Sequence, residues 1–359
     1  MNRYSRHIVL PEIGQNGQDK LSKAKVLVIG AGGLGCPALQ YLTAAGIGTL
    51  GIVDFDLVEE SNLQRQVLYG TSTLGINKAI AAKKRLEDLN PTICIHAIAE
   101  KLTSSNALEL FKEYDIIVDG TDNFATRYLI NDASILTNKP VVYGGVYKFE
   151  GQVSVFNYQN GPSYRCLFPD IPKEGSVPNC SDVGVLGVLP GIIGSMQANE
   201  VIKIVLEFEN ILAGKLCCYN AKTSKTTTFN FPRSNSEIDK ILSQGELVQN
   251  LTIESVCRSI KKEISVENAF QMANTQFIDV RMVGEKPFID LPNHQQIPLT
   301  ELKEKVHLID SEKTIIAVCQ TGIRSLAAVD LLKKHNITKC YSLSGGVFAI
   351  MEHLKITTP

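Results

Sequence analysis

Cys319 opens the run CQTGIRS, in which four residues separate it from Arg324. Successive backbone N–H groups in a short loop that enters a helix form an anion nest, and the helix N-terminus adds positive potential. Such a loop suits a thiolate or a persulfide on Cys319, with Arg324 supporting its charge. Cysteine phosphatases use a similar cradle but place one more residue between cysteine and arginine, usually with a histidine before the cysteine. Here Val318 precedes it, which favours sulfur chemistry.

The other end of the chain carries a different chemistry. In VLVIGAGGLG, Gly30, Gly32 and Gly35 satisfy G-x-G-x-x-G with Gly33 between them, after a strand and before a helix. That turn lets the backbone approach a phosphate at a helix N-terminus. Asp54, at the end of the next strand, is placed to hydrogen-bond a ribose hydroxyl. FDLVEESNLQRQ then adds Asp56, Asn62 and Arg65, GINKA adds Lys78, and DGTDNFATR adds Asp122 and Asn123. A dinucleotide has little use for these extra cations. A triphosphate that departs as pyrophosphate needs them, and a carboxylate such as Asp122 can hold Mg2+ against the phosphate oxygens. No G-x-x-x-x-G-K-[ST] occurs, so the phosphates are not held by a P-loop.

The elements that must position these residues alternate. Apolar strands KVLVIG, TLGIVDFD, ICIHAIA, YDIIVDGT and PVVYGGV are separated by helix-like segments, which predicts a Rossmann-like, doubly wound α/β sheet. QVSVFN and KLCCYNAKTSKTTTFNF alternate as antiparallel strands, with a long helix between them. A second, smaller α/β pattern runs from SVENAFQMAN to the end. The expected domains are 1–232, a polar linker 233–250, and 251–359. At 359 residues, two domains are the default.

A formal charge of -1 gives no bulk attraction to nucleic acid or anionic membrane. The longest apolar run is short and broken by glycines and Pro190, and the N-terminus has no signal-peptide pattern, so a cytoplasmic protein is expected. Nine cysteines at irregular spacing do not make a disulfide framework in a chain this long.

GAGGLGCPALQYLTAAGIGTLGIVDFDLVEESNLQRQ, with RYSRH before it and DGTDNFATRYLIN after it, resembles the adenylating family of ubiquitin-activating-type enzymes. Its nearest members are molybdopterin-synthase adenylyltransferase and its thiamine-pathway relative, and the match covers roughly the first two thirds of the chain. The resemblance implies ATP-dependent adenylation of the C-terminal Gly-Gly carboxylate of a ubiquitin-like sulfur carrier. It assigns Asp54 to the ribose, Asn62, Arg65 and Lys78 to the phosphates, and Asp122 to Mg2+. It also brings Arg6 to ATP across a homodimer interface. FIDVR, CQTGIRS and YSLSGGVFAI together resemble the rhodanese family over roughly the last hundred residues. Cys319 would carry the persulfide and Asp279 and Arg281 would brace the domain. The His-Ile-x-Gly-Ala run usual in that family is missing from RMVGEKPFIDLPNHQQIPL.

Members of the adenylating family often hold a structural zinc in two C-x-x-C pairs. Ser163 stands where one cysteine would fall, leaving Cys166 alone, and adjacent Cys217 and Cys218 point to opposite faces of a strand, so no zinc is expected. Cys180, before a glycine-rich segment, is by resemblance the acceptor of the activated carrier, through a thioester or acyl disulfide. Cys36, Cys94, Cys257 and Cys340 read as packing. Together the two ends predict a carboxylate activated with ATP and then given sulfur supplied by a desulfurase or a small thiosulfonate. The pathway, molybdopterin or thiamine-type, stays open. Two alternatives stand beside this: a nucleotide-binding sulfur or redox sensor without turnover, and an NAD-dependent oxidoreductase, which would have no need for Arg65 or Lys78.

Overall fold

The computed structural model describes residues 3–172, 184–244, 263–272, 274–310, 312–335 and 337–354. The chain divides into two compact units, Met1–Ile253 and Glu254–Pro359. No described helix is long and apolar enough to cross a membrane.

The first unit is built on eight strands: β1 Lys25–Ile29, β2 Thr49–Val53, β3 Cys94–Ile98, β4 Ile116–Asp119, β5 Val141–Tyr147, β6 Glu150–Phe156, β7 Lys215–Asn220 and β8 Lys225–Asn230. Their order is β3-β2-β1-β4-β5-β6-β7-β8; the first five are parallel and the rest antiparallel. β1 reads KVLVI because a parallel strand covered on both faces has no solvated side for polar residues. Val26 and Val28 join one apolar cluster, Leu27 and Ile29 the other, as the two-residue period of a strand requires. The chain order reverses between β1 and β4, and a doubly wound sheet leaves its ligand crevice at that point.

Helix Val188–Leu206 lies against β5 and β6. Its Gln197, fully buried, donates to the carbonyls of Asp119 and Val142 at 2.7 and 3.1 Å, tying the ends of β4 and β5 to one helix. Pro190 is tolerated because it falls in the first turn, where no intrahelical N–H is needed.

The polar stretch 233–250, part of which the sequence allows as a short helix, contains one. Asn235–Gln244 is a helix whose Ile238 and Ile241 pack with Ile135, burying both isoleucines almost completely. Its polar composition belongs to the exposed face of an amphipathic helix, so this stretch is part of the first unit.

The second unit has a parallel five-stranded sheet: β9 Glu263–Ile264, β10 Thr275–Asp279, β11 His294–Gln296, β12 Thr314–Val318 and β13 Cys340–Leu343, in the order β11-β10-β12-β13-β9. Central β12 sends Ile315 and Ala317 to one apolar cluster and Ile316 and Val318 to the other. Cys319 follows directly where the strand emerges.

Candidate functional site

The nucleotide region is assembled from strand ends. β1 leads into the turn Gly30–Leu34 and helix Gly35–Ala45. A Cβ on Gly35 would collide with the Gly30 carbonyl oxygen, so the sharp strand-to-helix turn requires glycine there. Asp54, after β2, fastens this turn: its Oδ2 accepts the Ala31 N–H at 2.8 Å and its Oδ1 the Asp56 N–H at 2.9 Å. Burial raises the Asp54 pKa, while those two hydrogen bonds and Lys78 oppose the shift. A carboxylate offers about four acceptor positions, so two remain for a ligand hydroxyl.

Lys78 is buried and sets its Nζ 3.0 Å from Asp56 Oδ2, so its charge is held at the crevice by a carboxylate. Helix Lys78–Leu89 starts at this residue because Asn77 caps it, accepting the Ile80 N–H. Arg65 Nη1 donates to the Ser61 carbonyl at 3.0 Å, and buried Asn62 accepts the Glu59 N–H. Asp122 is exposed on the loop after β4. Asn123, expected at the nucleotide, caps helix Phe124–Thr137 by accepting the Thr126 N–H at 2.9 Å.

These groups surround a cavity of about 640 Å³, within the size range of small-molecule sites. Gly30, Gly32, Gly33, Asp54, Asp56, Asn62, Arg65, Lys78, Asp122 and Asn123 all line it; Gly35 lies behind the turn, and exposed Arg6 is not among the lining residues. Gln66 also lines the cavity, and its Oε1 is buried with no hydrogen-bond partner, an acceptor that a ligand N–H or O–H would satisfy. Asp56, Glu59, Ser61 and Asp122 present oxygen donors to the same space. Among the described residues no cluster of three or more His, Cys, Asp or Glu forms a metal cage. Mg2+ takes one or two carboxylates plus substrate phosphates, and this donor set fits that mode.

Sequence reasoning missed four contributors. Phe55 and Lys101 line the cavity together, with Lys101 Nζ 5.6 Å from the ring centroid. Lys101 follows β3, so the strand-end rule that found Asp54 could have found it. Arg127 donates from Nη2 to the Thr121 carbonyl at 2.9 Å and lies 5.2 Å from the Tyr143 ring centroid. Asp119 accepts from both the backbone N–H and the hydroxyl of Thr121. Together Arg127 and Asp119 fix the loop that presents Asp122.

In the second unit, Cys319 is 1% exposed. Its Sγ accepts the Gly322 N–H at 3.1 Å and lies 3.5 Å from Ser325 Oγ, which donates to the Gly322 carbonyl and meets Ser342 Oγ at 2.8 Å. Gly322, at φ 103°, is the left-handed N-cap of helix Ile323–Lys334, a conformation that costs other residues roughly 1 kcal/mol or more. Arg281 forms a bidentate pair with Asp279 and donates from Nη1 to Gln320 Oε1 and the Pro287 carbonyl. Arg324, expected to support the sulfur's charge, instead gives Nη1 and Nη2 to the two carboxylate oxygens of Glu285, at 2.6 and 2.7 Å. Those hydrogen bonds hold the Glu285 pKa down at about 2. Glu285 lies in the segment where the sequence departs from its resemblance, so no motif pointed to it.

The remaining cysteines separate clearly. Cys166 Sγ accepts N–H groups from Ser163 and Ser234, at 3.3 and 3.2 Å. One thiol between two serines is not a tetrahedral zinc ligand set. Cys36 and Cys340 are buried, and burial raises the Cys36 thiol pKa to about 12. Cys94, read as packing, is corrected: it is exposed on sheet-edge strand β3, with its Sγ 3.2 Å from His96 Nε2. An edge strand covered on only one face leaves alternate residues to solvent. Cys180 and Cys257 lie outside the described residues.

Comparison with known proteins matches residues 4–240 to the ThiF family and 265–353 to the rhodanese-like domain. The chain belongs to the ThiF family. It is an enzyme of the adenylyltransferase and sulfurtransferase class. The Mycobacterium tuberculosis protein named "Probable adenylyltransferase/sulfurtransferase MoeZ" is 39% identical over 360 residues, spanning 97% of this ThiF-family chain and 92% of that one. The adenylyltransferase and sulfurtransferase MOCS3 of Xenopus laevis is 39% identical, spanning 98% and 86%. The sulfur carrier protein adenylyltransferase of Thermus thermophilus is 51% identical over 226 residues, 62% of this chain and 83% of its own. Among solved structures, E. coli MccB with ATP superposes with a TM-score of 0.57 at 25% identity, covering 65% of this chain and 72% of that one.

Proposed function

We propose that this ThiF-family enzyme uses ATP and Mg2+ to adenylate the C-terminal Gly-Gly carboxylate of a ubiquitin-like sulfur-carrier protein, and then delivers sulfur to it from a Cys319 persulfide. One observation carries the first half: Asp54, Asn62, Arg65, Lys78 and Asp122 converge on one cavity at the strand-order reversal, supplying ribose, phosphate and metal partners together. The sulfur-carrier adenylyltransferase from Thermus thermophilus and MccB with ATP support the substrate pair.

Asp54 holds the ribose while the backbone of Gly30, Gly32 and Gly33 receives the phosphates. Arg65 and Lys78 stabilise the charge that leaves with pyrophosphate, with Asn62 as a further donor. Asp122 would hold Mg2+, which when bound would supply charge neutralisation to the triphosphate. The carrier carboxylate attacks the α-phosphorus and pyrophosphate departs, leaving an acyl-adenylate. The terminal sulfur of a Cys319 persulfide then attacks the acyl carbon and releases AMP, forming an acyl disulfide. An external thiol cleaves the S–S bond to free the thiocarboxylate, and a second reduces the mixed disulfide left on Cys319; Cys180 is the candidate acceptor of the acyl group ahead of this step, its thiolate displacing AMP and leaving in turn when the persulfide attacks. Gly322 N–H and the start of helix Ile323–Lys334 stabilise the anionic sulfur between these steps.

A homodimer completes the reading, with Arg6 reaching the nucleotide of a second copy. Leu57, Ile76 and Ile80 are exposed apolar residues on adjoining segments, a surface suited to burial against a partner. The setting is cytoplasmic, and the thiocarboxylate serves a molybdopterin or thiamine-type pathway.

Pyrophosphate exchange into ATP, with and without a carrier ending in Gly-Gly, tests the adenylation. Exchange should need the carrier and fall at least about 100-fold in Asp122→Ala. Nucleotide binding with no exchange for any such carrier would favour a sensor that holds nucleotide without turnover.

A further inference from the structure

The sulfur loop contains one arginine, and that arginine is already neutralised. Both terminal nitrogens of Arg324 are held by Glu285, with side-chain exposures of 37% and 29%. Cys319, whose charge acts on Arg324, is 1% exposed, whereas the ion pair is partly open to solvent. The neighbouring guanidinium of Arg281 is taken by Asp279, Gln320 and the Pro287 carbonyl. A third carboxylate is close: Glu263 Oε1 lies 3.9 Å from the point where a Cβ on Gly322 would stand. Asp279 and Glu285 thus pair with the two guanidiniums, Glu263 adds a carboxylate near Gly322, and His294, 4.0 Å from Asp279, adds a charge only when protonated.

We propose that Glu285 selects the sulfur donor: set on Arg324 at the mouth of the Cys319 loop, it turns away dianionic donors such as thiosulfate and leaves the loop to a persulfide presented on a neutral or basic partner. This rests on the reading of Cys319 as the sulfur carrier. With thiosulfate, the Cys319 thiolate attacks the sulfane sulfur, the S–S bond breaks, and sulfite leaves with the electron pair. With an alkyl persulfide, the thiolate attacks the terminal sulfur and the alkyl thiolate leaves. Both give the same Cys319 persulfide without an external oxidant or reductant. The difference lies in the approach. A dianion must displace two charge-assisted hydrogen bonds and stand beside two more carboxylates, whereas a persulfide on a cationic carrier meets attraction.

The test uses the full chain, thiosulfate and cysteamine persulfide as donors, and the mass gain of one sulfur on the Cys319 peptide as readout. Wild type should prefer cysteamine persulfide in kcat/KM, and Glu285→Gln, which keeps the shape and removes the charge, should reduce that preference at least about tenfold. Adding Arg324→Ala to Glu285→Gln should abolish the gain with thiosulfate. In wild type, raising ionic strength should shrink the preference, because part-exposed charges are screened; this arm stands even if the variant fails to fold. Equal preference in wild type and Glu285→Gln, or a preference that does not move with salt, would overturn the selection while sulfur loading of Cys319 kept the carrier reading intact. Loading from neither donor would overturn both.

Discussion

The two sites of this chain solve opposite problems. The nucleotide cavity is wide, about 640 Å³, and distributes its ligands over the ends of four parallel strands. The sulfur loop holds one atom, whose described hydrogen bonds are with Gly322 and Ser325 just after Cys319, with Ser342 in turn against Ser325. Its cations differ as well. In the cavity Arg65 gives a nitrogen to a backbone carbonyl, and Lys78 lies against the single carboxylate of part-exposed Asp56. At the loop Arg324, and beside it Arg281, are locked in bidentate pairs. A site for a polyanion keeps guanidinium and ammonium groups that can be recruited, whereas a site that stores one anionic sulfur relies on backbone N–H groups and a helix terminus.

Separating the two chemistries gives the largest effect. Cys319→Ser should reduce thiocarboxylate formation by at least about 1000-fold while carrier-dependent pyrophosphate exchange persists, because oxygen cannot replace the persulfide sulfur. Loss of exchange in the same variant would show that the two sites are not separable. Smaller, and confined to the cavity, is Arg127→Met: with the Thr121 anchor gone, exchange should slow about 10- to 100-fold in kcat, with stability falling by about 1.5–3 kcal/mol. A melting shift with unchanged kcat would make Arg127 a purely structural residue.

Smaller still for activity is Ile241→Ala, which opens a cavity under helix Asn235–Gln244 and should destabilise the first unit by about 2–5 kcal/mol in chemical denaturation. An unchanged midpoint would return that helix to the linker. The smallest effect is a flat one. The Glu285 pKa falls from 4.5 to about 2 on folding, so the stability of its pair with Arg324 is fully present above pH 4.5 and is lost as pH falls toward 2. Donor preference should therefore show no Glu285 break between pH 5 and pH 8 in a titration of loading rates.

The cavity was far more legible in the sequence than the loop's surroundings. Gly30, Asp54 and Asp122 stand just past strand ends, where the fold brings distant segments together by a rule readable from periodicity, and Lys78 opens the helix Lys78–Leu89. Arg127 escaped because its part is played through the Thr121 carbonyl, and a backbone contact leaves no pattern. Asn123 lines the cavity, as its motif suggests, while its side chain also satisfies an orphan N–H of the following helix, a role the motif does not reveal. Glu285 pairs across 39 residues with Arg324 from a stretch without a motif, so only the folded chain brings them together. A short helix in 233–250 is compatible with the sequence, but its packing against the first unit is marked only by Ile238, Ile241 and the face they share.

The most direct test of the account combines both sites in one product. Incubating the full chain with ATP, Mg2+, a Gly-Gly carrier, a persulfide donor and an external thiol, and weighing the carrier intact, should show its terminal carboxylate oxygen replaced by sulfur. The conversion should require ATP, Asp122 and Cys319 together. A carrier that is adenylated yet never gains sulfur, with Cys319 loaded, would contradict the claim that this chain joins activation to sulfur delivery.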